Sequence, residues 1–122
     1  MLETGWLKFG GQVEIGQYNF AGLGAVDGGA RGADFSSYGI NGVRMGVRAQ
    51  IQHLKAYANP NITETTLKNS CVDPRFKYVT PKGCAKYVEY LGQKENPIGK
   101  GWATSERYGY KILDIIEKLM QL

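Results

Sequence analysis

Apolar residues recur at helical spacing in two stretches of the chain. Over 43–58 they fall at Val43, Val47, Ile51, Leu54 and Ala58, while Arg44, Arg48, Gln52 and Lys55 take the opposite side. This predicts an amphipathic helix, with the apolar stripe inward and Asn59-Pro60 as its end. A second stripe, Tyr108, Ile112, Ile115, Ile116 and Leu119, predicts a final helix capped by Thr104 or Ser105 and running to Met120. Between them, Thr80-Pro81 has the form of a helix start, with Thr as N-cap and Pro in the first turn. The helix it predicts reaches Leu91, turns Ala85, Val88 and Leu91 inward, and closes at Gly92.

The pattern before residue 42 is different. Residues 1–9 read as the last turns of a helix stopped by Gly10-Gly11. A helix that short hardly nucleates by itself, so either the chain starts inside an element or packing holds a stub, and the expectation is that upstream residues are missing. Val13, Ile15 and Gln17 alternate with Glu14 and Gly16, a short strand signal. From 18 to 41, glycines at 22, 24, 28, 29, 32 and 39 break any long element and predict an irregular loop or small β-hairpin lobe.

Composition narrows the class. A chain of 122 residues, 43% hydrophobic and 21% charged, fits one soluble globular domain, 1–122. Its 17 glycines argue against an all-helical bundle, so the expected class is α+β. The net charge of +4 is scattered along the sequence. Nucleic-acid binders cluster such charge, so no nucleic-acid partner is expected. No run reaches the roughly 18 apolar residues of a membrane span, and no signal peptide is visible. His53 is the only histidine and no CxxC spacing occurs, so neither metal nor cofactor is expected. His53 itself reads as a surface or boundary residue beside the polar stripe. Cys71 and Cys84 fit either two free thiols or, after export, a disulfide worth about 3 kcal/mol.

Candidate chemistry is sparse. One histidine, with no nucleophile elbow, gives no basis for Ser-His or Cys-His catalysis. The Gly-x-Gly at 22–24 lacks the third glycine of a dinucleotide fingerprint. Glycoside hydrolysis needs a protonated carboxyl at the leaving oxygen and usually a second carboxylate across the cleft. Glu3, among Leu2, Trp6, Leu7 and Phe9, suits the first role, because desolvation penalises a charged carboxylate. Asp34 and Asp27 in the glycine-rich lobe are candidates for the second. The eight tyrosines, with Trp102 and Tyr108 at a loop-to-helix junction, supply rings of the kind that stack on pyranose faces.

Three blocks then resemble a known family. Leu2-Glu3-Thr4-Gly5-Trp6 resembles the LE[ST]GW motif of the bacterial β-N-acetylglucosaminidases that cut peptidoglycan, glycoside hydrolase family 73. Tyr18-Asn19-Phe20-Ala21-Gly22-Leu23-Gly24-Ala25 is similar to that family's N-x-F-G-I-[KG]-A segment. Trp102-Ala103-Thr104-Ser105-Glu106-Arg107-Tyr108, followed by Lys111-Ile112, resembles its C-terminal YATDPxY segment. The blocks stand in family order and span nearly the whole chain.

The resemblance implies a lysozyme-like α+β fold, mostly helical with a small glycine-rich β lobe. It implies Glu3 as general acid, with Asp34, or alternatively Asp27, as the second carboxylate. Asn19, Phe20, Trp102 and Tyr108 would bind substrate. The bond cut would be the β-1,4 link between N-acetylglucosamine and N-acetylmuramic acid in peptidoglycan glycan strands, outside the cell or in its wall. Inversion, a covalent intermediate and substrate assistance all stay open. The alternatives are a non-catalytic glycan-binding module, or a muramidase or lytic transglycosylase of the same fold. If 1–122 is the whole molecule, apolar surface that a longer first helix would cover is expected to be covered by a second copy, giving a homodimer through the N-terminal region.

Overall fold

The longest element in the computed structural model, which describes residues 14–25 and 31–122, is the helix α1, Gly42–Ala58. The other long helix is α2, Tyr108–Met120. Among the described residues, short 3-10 turns at Ile15–Gln17, Ser36–Asn41, Phe76–Tyr78 and Val88–Leu91 make up the remaining helical structure. Among the described residues, β pairing is limited to the isolated bridges Ala25 with Arg31, antiparallel, and Gly92 with Ala103, parallel. The mostly helical expectation holds. The expected strand does not form over its described part, since Ile15–Gln17 is a 3-10 turn closed by Tyr18 at φ 55°.

The chain divides into two compact units. One comprises the described residues up to His53 together with Leu67–Tyr78; the other comprises Leu54–Thr66 and Val79–Leu122.

In the first unit, α1 reverses the expected sides. Val43 and Ile51 are 51% and 52% exposed, and Val47 is 40% exposed. The buried positions are Gly42, Gly46, Ala49, Gln52 and His53. Two glycines cause this reversal. A Cβ on Gly42 would collide with the Tyr18 ring, and one on Gly46 would collide with the Tyr18 carbonyl oxygen. The small face of the helix therefore takes the close approach, and the branched side chains point away. The stripe of larger apolar residues is not the interior of this helix.

Polar residues on the buried face are fully paired. The Gln52 amide nitrogen donates to the carbonyls of Asn69 and Ser70, at 3.3 and 3.0 Å, and its oxygen accepts from Val72 N–H at 2.8 Å. His53 Nδ1 lies 2.8 Å from Asp73 Oδ2, and the Asp73 side chain has no exposed surface. Adjacent residues of one helix thus fasten the segment 69–73. His53, expected at the surface or boundary, is buried.

In the second unit, the expected helix from Thr80-Pro81 to Leu91 does not form, apart from the 3-10 turn at its end. The backbone there caps another helix. Gly83 N–H donates to Ala56 O at 2.9 Å and Ala85 N–H to Tyr57 O at 3.0 Å, satisfying carbonyls at the end of α1 that have no intrahelical partner. Gly83 sits at φ 75° against Pro60, where a Cβ would meet Pro60 N at 2.5 Å. Asn96 ties the following loop together, donating to Cys84 O and Tyr90 O, both at 2.9 Å, and accepting from Ile98 N–H at 3.0 Å. α2 begins at Tyr108, later than the expected cap, because the Glu95 carboxylate accepts Arg107 N–H at 3.2 Å and Arg107 turns left-handed at φ 56°. Neither Cys71 nor Cys84 is in a disulfide, and the Cys71 thiol donates to Asp73 O at 3.6 Å. Burial pushes the Cys84 thiol above its ordinary range.

Candidate functional site

The stretches 14–25 and 31–35 bury amide side chains alongside apolar Ala21, Leu23 and Phe35. Gln17 and Asn19 are among the largest fully buried side chains of the described residues. The Gln17 amide donates to Arg31 O and Ala33 O, both at 3.1 Å, and its oxygen accepts from Glu14 N–H at 2.8 Å. Asn19 closes loop 18–25 from within: Nδ2 donates to Leu23 O at 3.0 Å and Oδ1 accepts from Leu23 N–H at 2.9 Å. A glycine-rich segment has few side chains to pack, so its shape comes from these bonds to backbone groups. Gly32 gives the Asn19 amide its room, since a Cβ there would stand 3.0 Å from Nδ2.

Asp34 is held beside this loop by its neighbours. Ala33 N–H donates to Leu23 O and Phe35 N–H to Gln17 O, each at 2.8 Å. The Asp34 side chain is exposed and accepts from Ser36 N–H at 2.9 Å. Hydrogen bonds from the Ser36 side chain and backbone, aided by the Arg31 charge, hold its carboxyl below the usual carboxylate range. It is therefore an ionised acceptor at neutral pH, suited to stabilising positive charge or activating water and unsuited to donating a proton.

The other expected site residues fall as follows. Glu3 and Asp27 lie outside the described residues. Asn19 is buried, so its amide shapes the loop and presents no free surface to a ligand. Phe20 is half-buried, its Cε2 standing 3.4 Å from where a Cβ on Gly46 would be. In the second unit, Trp102 is half-buried and stacked on Tyr57, with ring centroids 5.8 Å apart and planes at 28°. The Tyr57 hydroxyl donates to Gly101 O at 3.0 Å. Tyr108, at 7% exposure, is a core residue at the start of α2. Among the described residues no group of His, Cys, Asp and Glu side chains could hold a metal ion.

Two residues near these positions were not singled out by the sequence. Tyr57, on the helix end, is the ring on which Trp102 stacks. Arg75 lies against loop 18–25, its Cδ 3.6 Å from where a Cβ on Gly24 would stand. Only the spacing of Tyr57 after His53 on one helix could have pointed to it. Arg75 is remote in sequence from the loop it reaches.

The chain is similar to a protein of Borreliella burgdorferi (strain ATCC 35210 / DSM 4680 / CIP 102532 / B31) named only as an uncharacterized protein. The two are 36% identical over 121 residues, which cover 99% of this chain and 51% of the relative. The chain thus spans about half the length of that relative. No protein-family model matches the sequence, and no solved structure matches it.

Proposed function

We propose that this chain is a peptidoglycan-cleaving β-N-acetylglucosaminidase domain of lysozyme-like fold, related to glycoside hydrolase family 73. The observation that carries the reading is the second motif block. Residues 18–25 form a loop closed by the Asn19 amide, and an ionised Asp34 is tethered beside it, Ala33 N–H bonding to Leu23 O within the loop and Phe35 N–H to Gln17 O just before it. A loop fixed from inside, with a carboxylate at its edge, fits one wall of a glycan cleft. In this reading Glu3 protonates the leaving oxygen of the β-1,4 bond between N-acetylglucosamine and N-acetylmuramic acid. Asp34, already ionised, stabilises the developing oxocarbenium charge or activates water. Within the first unit Phe20 offers ring surface to the sugars and Asn19 supports loop 18–25 from inside; within the second, Trp102 offers ring surface of its own and Tyr108 belongs to the core. The site of action is the cell wall or the space outside the cell.

The test is loss of turbidity of purified cell walls, with Glu3→Gln alongside the parent. Loss of Glu3 as general acid should slow clearing by roughly 100-fold or more. Equal clearing by the variant removes Glu3 from the mechanism. Product mass spectrometry separates the chemistries: a reducing-end N-acetylglucosamine supports the proposal, reducing N-acetylmuramic acid indicates a muramidase, and an anhydro sugar a transglycosylase. Wall binding without released reducing ends would indicate a binding module.

A further inference from the structure

Arg75 is an exposed arginine whose position is fixed at three points within the first unit. Its backbone N–H donates to Asp73 Oδ1 at 2.8 Å. The same carboxylate is buried and paired with His53 on α1, so this anchor leads back to the helix. The stem lies against loop 18–25 where Gly24 has no side chain. The head is stacked, with the guanidinium carbon 4.4 Å from the centroid of the Tyr78 ring. Tyr78 is 58% exposed, and the Lys77 ammonium stands 5.2 Å from the same centroid.

Ordinary surface arginines have many rotamers, or a carboxylate partner. Among the described residues no carboxylate pairs with Arg75. Its planar fork of donors is therefore oriented and unused, which lowers the ordering cost of binding an anion of matching shape. A carboxylate accepts two parallel N–H bonds from such a fork. Lys77 adds a second positive charge beside the same ring, and Tyr78 serves to hold the guanidinium in place.

We propose that Arg75, with Tyr78 and Lys77, forms a binding site for a carboxylate carried by the glycan strand, at the edge of loop 18–25. The inference rests on the glycan-cleaving reading above and adds a specificity determinant to it: strands bearing carboxylates are preferred over neutral N-acetylglucosamine polymers. Such carboxylates can come from a lactyl ether on the sugar or from attached peptide.

Equilibrium binding to three probes tests the site: peptide-bearing glycan strands, the same strands stripped of peptide, and neutral N-acetylglucosamine oligomers. For Arg75→Gln, the affinity ratio of carboxylate-bearing to neutral glycan should fall roughly tenfold. Arg75→Lys, which keeps charge but loses the fork, should fall between variant and parent. A loss already present on stripped strands assigns the lactyl group; a loss only on peptide-bearing strands assigns the peptide. Far-UV circular dichroism matching the parent shows that the variants fold. An unchanged ratio in Arg75→Gln, or an equal drop on all three probes, overturns the site while leaving glycan binding standing. A parent that binds none of the probes overturns the glycan reading, and the site with it.

Discussion

α1 and α2 carry the same kind of sequence pattern and use it in opposite ways. On α2 the stripe begins inside, with Tyr108 buried and Ile112 and Ile115 half-buried, and runs outward to Ile116 and Leu119 at 41% and 51% exposure. On α1 the stripe is outside from its first residue, and glycines, alanines, an amide and an imidazole are inside. Periodicity identifies a helix because one side differs from the other. It does not say which side is buried when the second side holds small residues that allow close approach and polar residues with partners waiting. Gly42, Gly46, Ala49 and Ala56 are themselves spaced as a helical stripe.

The sharpest way to break this contrast is to remove the partner of the imidazole. Asp73→Ala should lower stability by about 3 kcal/mol, measured by urea unfolding, because it leaves buried His53 and the Arg75 N–H without their acceptor. A change near zero would mean that the pair is not what fastens 69–75 to the helix. Gly46→Ala comes next. In an ordinary exposed helix interior this change stabilises by roughly 0.5–1 kcal/mol; here the collision with the Tyr18 carbonyl should turn it into a loss of about 1–3 kcal/mol. A matched pair then compares the stripes directly: Val47→Asn on α1 should cost about 0.5 kcal/mol or less, and Ile112→Asn on α2 more than about 1 kcal/mol. Equal costs would restore the original inward reading of α1.

The smallest expected effect concerns charge at the lobe. The Asp34 carboxyl titrates below its ordinary range in the fold, so its contribution to stability is complete at neutral pH. That contribution fades as pH falls through the folded value. Ser36→Ala removes the hydroxyl bond, and an NMR titration should show the Asp34 pKa moving upward toward the usual carboxylate range. An unmoved midpoint would take the Ser36 hydroxyl out of the account.

The helices were legible because their signals are local. α1 was expected over 43–58 and occupies Gly42–Ala58; α2 ends at Met120, as its stripe predicts. Residues 81–91 misled because a Thr-Pro pair is a start signal only when the next N–H and carbonyl groups bond to each other. Here Gly83 and Ala85 bond to α1 instead. Asp34 was legible only as an acid in a glycine-rich stretch; the bond from Ala33 N–H to Leu23 O that sets it beside loop 18–25 joins residues ten apart and gave no local signal. Asn19 was legible as a special residue but not as a buried one, because an amide that binds substrate and an amide that closes a loop are the same letters. Arg75 could not be found from sequence, since its role depends on a missing Cβ at Gly24 about fifty residues away.

The cap that Gly83 and Ala85 place on α1 also has a kinetic side. Their N–H groups can exchange with solvent only when the bonds to Ala56 and Tyr57 open. Two amides in a stretch without regular structure should thus exchange deuterium on the schedule of a helix end. In a peptide-level exchange map, the protected block would run past Ala58 and reappear across 83–85. A segment that looks like a loop would then report, amide by amide, on whether the last turn of α1 is intact.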